Sequence, residues 1–66
     1  MSELAKAVLC FLQAESDNGK KSFTSTDIEI VGKLSSTRAK QIIDELEENG
    51  YIEVHHEWVS GSFSLI

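Results

Sequence analysis

From Thr26 to Val54 the chain reads TDIEIVGKLSSTRAKQIIDELEENGYIEV. This stretch limits the fold more than any other. A short helix signal, a Gly-bearing turn, a longer helix signal and an Asn-Gly stop follow one another with almost no spacer. The stop opens directly onto a strand. Each helix has one apolar face, and elements this close in sequence pack side by side.

The second helix is expected to begin near Ser25 or Thr26. Thr26 and Glu29 have capping-box spacing, and so do Thr24 and Asp27. Ile28 and Val31 are expected to point inward at i and i+3, with Ile30 shared with a neighbouring element. Gly32 suits a left-handed position that ends the helix, leaving Gly32-Lys33-Leu34 as the turn. The third helix is expected to start at Ser35 or Ser36 and run to Glu48, where Asn49-Gly50 stops it. Leu34 and Ala39 then have hydrophobic-staple spacing. Ala39, Ile42, Ile43 and Leu46 form its buried stripe. The outer face changes character along its length. Thr37, Arg38, Lys40 and Gln41 come first; Asp44, Glu45, Glu47 and Glu48 come second.

The remainder completes a helix, a short strand and a hairpin. Ser2 to Glu15 predicts the first helix, with Ser2 as N-cap and Leu4, Ala5, Val8, Leu9, Phe11 and Leu12 on one broad face. Cys10 falls on the opposite face. Ser16 to Lys21 is a polar loop with Asn18-Gly19 as its turn signal. Ser22-Phe23-Thr24 predicts a very short strand anchored by Phe23. Tyr51 to Ile66 predicts a hairpin in which Ile52, Val54 and His56 alternate with Tyr51, Glu53 and His55. Its tip falls within His56 to Gly61, with Trp58-Val59 in either the first strand or the loop.

With 66 residues the chain, 1–66, is expected to be a single domain. So small a domain buries only about 60% of its unfolded surface. Cys10 is alone and offers no disulfide, so a compact local fold or a partner must compensate. A lone cysteine and no signal peptide point to a reducing cytoplasm. The longest apolar run, Ala7 to Leu12, is too short to span a membrane. The net charge is −5, from eleven acids and six bases. Such a chain binds nucleic acid only where its few bases gather on one face.

The order of helix, short strand, helix, Gly turn, helix, Asn-Gly and hairpin resembles the winged helix-turn-helix superfamily. DIEIVGKLSSTRAKQIIDELEENGYIEV and the closing SGSFSLI carry the resemblance. It is similar in size to small stand-alone bacterial or phage regulators. Those of the ferrous-iron-transport type carry a cysteine cluster after the wing, and this chain has none. The resemblance implies an α+β fold of three helices with a short strand and a C-terminal hairpin wing. It also implies that the third helix enters the major groove of double-stranded DNA by its N-terminal end. Carried over here, the contacting residues are Ser35, Ser36, Thr37, Arg38 and Gln41, with Lys40 beside them and Lys33 as a phosphate contact. Lys20 and Lys21 add to these if their loop turns the same way. Arg38 suits guanine and Gln41 adenine, while Ser and Thr hydroxyls reach phosphates or bases. The expected function is transcriptional regulation, as a homodimer or with a larger DNA-bound partner.

The same residues have plainer readings. Capping alone demands Ser35, Ser36 and Thr37. Arg38 and Lys40 stand near Asp44 and Glu47 at helical spacing. The low isoelectric point suits a different role, in which an acidic surface receives a basic partner protein and no DNA. No cofactor or metal is expected: His55 and His56 diverge on a strand, and Cys10 lies on a distant helix. No arrangement of nucleophile and base, phosphate loop or paired carboxylates suggests an enzyme.

Overall fold

Among the described residues, three helices and a two-stranded antiparallel hairpin make this an α+β chain. The computed structural model describes residues 1–55 and 62–66. The expectations for His56, Trp58, Val59 and the Ser60-Gly61 turn lie outside the described residues.

The first helix, α1, spans Glu3–Asp17. Ser2 caps it: its Oγ accepts the Ala5 N–H at 3.2 Å. Ala5, Val8, Leu9 and Leu12 are buried, Leu4 and Phe11 are half-buried, and Cys10 is exposed. Ser16 and Asp17, expected in the loop, are helical. The helix continues until a residue can turn left-handed, and that residue is Gly19, at φ +100°. There the Gly19 N–H donates to Ser16 O and the Lys20 N–H to Glu15 O, each at 3.0 Å.

The second helix, α2, spans Ser25–Gly32. Of the two capping boxes the sequence offers, Thr24 with Asp27 forms: Asp27 Oδ2 accepts the Thr24 N–H at 2.9 Å. Thr26 is inside the helix. Ile28 is fully buried, but Val31 is 39% exposed and Ile30 71%. Val31 was expected inward. Three residues advance about 300° around a helix, so it falls at the margin of a narrow contact face centred on Ile28.

The turn after α2 also corrects the sequence reading. Gly32 stays helical, and Lys33 is left-handed, at φ 53° and ψ 50°. Leu34 supplies the reason. Its side chain packs on the core, and a Cβ on Gly32 would stand 2.8 Å from Leu34 Cδ1. Gly32 is therefore small to admit Leu34, and the reversal moves one residue on. The Leu34 N–H then closes onto Glu29 O at 3.0 Å.

The third helix, α3, spans Ser36–Glu48, with Ser35 as N-cap accepting the Arg38 N–H at 3.2 Å. Ala39, Ile42, Ile43 and Leu46 are all buried, as the periodicity predicts. Gly50, at φ +80°, ends it.

Strands β1 (Ile52–Val54) and β2 (Phe63–Leu65) pair with Ile52 opposite Leu65 and Val54 opposite Phe63. Phe23 pairs with the other edge of β2. Its N–H reaches Phe63 O at 2.8 Å, and the Phe63 N–H reaches Phe23 O at 2.9 Å. The two rings stack with centroids 5.7 Å apart. The core is one cluster holding these rings together with Leu12, Ile28, Ile42 and Leu46. Among the described residues, no helix is long and apolar enough to cross a membrane.

Candidate functional site

Ala39 fixes what the leading half of α3 can present. It is fully buried, so the residues around it are turned outward. Ser35, Ser36, Thr37, Arg38, Lys40 and Gln41 are all exposed, as is Lys33 in the turn before them. The first amides of α3, at Ser36 and Thr37, have no acceptor within the helix. They add partial positive charge at that end.

The structure brings only some of these side chains together. Arg38 Nη1 donates to Gln41 Oε1 at 3.0 Å. Lys40 stands two positions from Arg38, about 200° around the helix. Arg38 and Lys40 therefore take opposite flanks, with Thr37 and Gln41 between them. The cationic end is a broad band rather than a tight cluster.

Ion pairing separates the cations further. Lys6 pairs with Glu3 at 3.6 Å. Lys20 pairs with Asp27 at 3.3 Å and lies 5.4 Å from the centre of the Phe23 ring. This holds Lys20 on α2 and the short bridge. Lys33, Arg38 and Lys40 form no ion pair among the described residues. The spacing of Arg38 and Lys40 with Asp44 and Glu47 does not produce one.

The acids of α3 divide in the same way. Asp44, Glu47 and Glu48 are exposed on its second half. Glu45 is tied down: the Ser2 N–H donates to Oε2 at 2.6 Å and the Ser2 hydroxyl to Oε1 at 3.1 Å. The Ser2 amide, then its hydroxyl, and beyond them the positive charges of the chain's amino group and Arg38 hold the Glu45 carboxyl below its ordinary range. Desolvation opposes them. Sequence reading missed this tether, since no local signal joins residues so far apart. It also missed the Arg38–Gln41 pair, although an i, i+3 spacing was there to find.

On the hairpin, His55 Nε2 lies 2.7 Å from Ser64 Oγ. Among the described residues, no group of three or more His, Cys, Asp or Glu could hold a metal ion, and no pocket forms. Comparison with protein-family models, with curated proteins and with solved structures gave no match.

Proposed function

We propose that this chain is a winged helix-turn-helix domain that binds double-stranded DNA as a transcriptional regulator. In this reading α2, the Lys33 turn and α3 form the helix-turn-helix, and the β1–β2 hairpin is the wing. The leading end of α3 approaches the major groove. One observation carries the reading: Lys33, Arg38 and Lys40 are exposed and free of ion pairs among the described residues, and all three fall in the turn and first half of α3. The acids begin only at Asp44. An end-on approach therefore meets phosphates with cations, whereas a lengthwise one would press Asp44 and Glu48 against the backbone. Three cations give modest affinity, so the domain acts as a homodimer or beside a DNA-bound partner.

The test is a salt series with the whole chain and a short labelled duplex. Neutralising two or three phosphates per protomer gives a log–log slope of about −2 to −3, doubled in a dimer. Absence of binding even at low salt overturns the reading.

A second reading draws on Asp44, Glu47 and Glu48, which are exposed and unpaired among the described residues. There the second half of α3 receives a basic segment of a partner protein. Capture of a basic protein with no affinity for duplex would favour it.

A further inference from the structure

We propose that Arg38 and Gln41 act as one unit that selects guanine, with Arg38 making the base contact and Gln41 serving as its positioning residue. The proposal rests on the DNA-binding reading above and names what the site reads.

Hydrogen-bond bookkeeping leads to it. The Arg38 guanidinium has five N–H donors and no acceptor. One donor is committed to Gln41 Oε1 at 3.0 Å, and four remain. That contact also fixes the Gln41 amide. The reverse orientation would set its NH₂ against the guanidinium, donor against donor. The carbonyl therefore faces Arg38, and the amide presents its NH₂ outward.

This arrangement discriminates between bases. Glutamine reads adenine by accepting from N6 and donating to N7. Here the accepting oxygen sits beside a cation, so the adenine amino group would approach a positive charge. Guanine offers N7 and O6, both acceptors, to a surface made of donors. The expectation that Gln41 reads adenine is thus replaced by a joint preference for guanine.

A second observation leaves Arg38 available. Glu45 lies on the same flank, one helical turn beyond Gln41 and two beyond Arg38, and is the acid whose charge Arg38 acts on. Both of its oxygens are held by Ser2. Arg38 and Glu45 feel each other's charge but form no ion pair among the described residues, so the guanidinium is steered by the neutral Gln41 amide and its remaining donors stay open to an incoming acceptor.

Selection from a randomised duplex pool tests this, using the whole chain and its Gln41→Ala, Gln41→Glu and Arg38→Lys variants. The expected wild-type result is a position enriched in guanine over adenine by about 10-fold or more. Gln41→Ala weakens that preference without changing the salt slope. Gln41→Glu restores it, because a carboxylate accepts the same hydrogen bond, even as its added charge lowers affinity for every sequence. Arg38→Lys abolishes it while salt-dependent binding persists, because lysine lacks the fork. Adenine enrichment that Gln41→Ala removes would overturn the proposal, as would salt-dependent binding with no guanine preference; either leaves DNA binding intact. Absence of any salt-dependent binding overturns both.

Discussion

Ser2 meets Glu45 through both carboxylate oxygens, at 2.6 Å from its amide and 3.1 Å from its hydroxyl. The same hydroxyl oxygen accepts the Ala5 N–H. One serine therefore starts α1 and fastens it to the second half of α3. Ser2→Ala is expected to cost about 1 kcal/mol from the cap. For a domain of this size that lowers Tm by about 4–8 °C, measurable by circular dichroism. A Tm within a degree of wild type would show that the cap carries no stability.

The tether also predicts a pH dependence. The folded state holds Glu45 below its ordinary range, chiefly through the Ser2 amide. A depressed carboxyl stabilises the fold at pH above the unfolded value and loses that contribution as pH falls through the folded one. Wild type should therefore lose Tm more steeply than Glu45→Gln from the ordinary glutamate range downward. Thermal melts of both proteins between neutral pH and about pH 2.5 check this. Parallel acid limbs would show that the tether is not linked to protonation.

Lys33 predicts that stability and binding will separate. Its left-handed backbone costs a side-chain-bearing residue about 1–2 kcal/mol, which glycine avoids. Lys33→Gly should raise Tm while lowering the salt slope of duplex binding by about one. Lys33→Ala should lower the slope equally without the gain in Tm. A loss of stability in Lys33→Gly would refute the strain argument.

Phe63 is fully buried between β1 and the Phe23 bridge. Phe63→Ala should cost about 3–5 kcal/mol, enough to unfold most of so small a domain at room temperature. Far-ultraviolet circular dichroism would show lost helix signal, and Phe63→Leu should keep it. A cooperative melt of Phe63→Ala near the wild-type Tm would contradict the core assignment.

If α3 meets DNA by its leading end, the acids of its second half repel the phosphates from a distance and limit affinity. Asp44→Asn with Glu48→Gln should raise duplex affinity several-fold at about 50 mM salt, with the gain shrinking as screening grows. Anisotropy titrations at two salt concentrations check both. Unchanged affinity at low salt would show that repulsion from these acids does not reach the duplex.

Much of this architecture is legible in the chain because its punctuation is local. Ser2, Thr24 and Ser35 cap their helices and Gly50 ends α3 where positive φ is needed, whereas α1 runs two residues past its expected end at Glu15, toward the left-handed Gly19. The i, i+3, i+4, i+7 pattern from Ala39 to Leu46 names a buried stripe directly. Phe23 was recognisable as an anchor because nothing else near it is apolar. The misreadings arise where tertiary contacts override local preference. Gly32 offers the left-handed turn, but Leu34 claims the space beside it and Lys33 bears the strain. Val31 has the right spacing to be buried, but α2 is too short and its contact face too narrow to cover it. At the candidate site, exposure followed from periodicity alone. The partners of Arg38 and Glu45 did not, since they depend on side-chain direction and on a distant cap.

The Phe23–Phe63 bridge has a bearing on how the chain is made. Its halves lie about forty positions apart in sequence, so at typical synthesis rates Phe23 waits about 2–8 s on the ribosome for its mate. All three helices can form in that interval, but the aromatic that seals them has nothing to stack on. Until Phe63 arrives the hydrophobic interior stays unclosed, and apolar surface exposed during that interval favours aggregation.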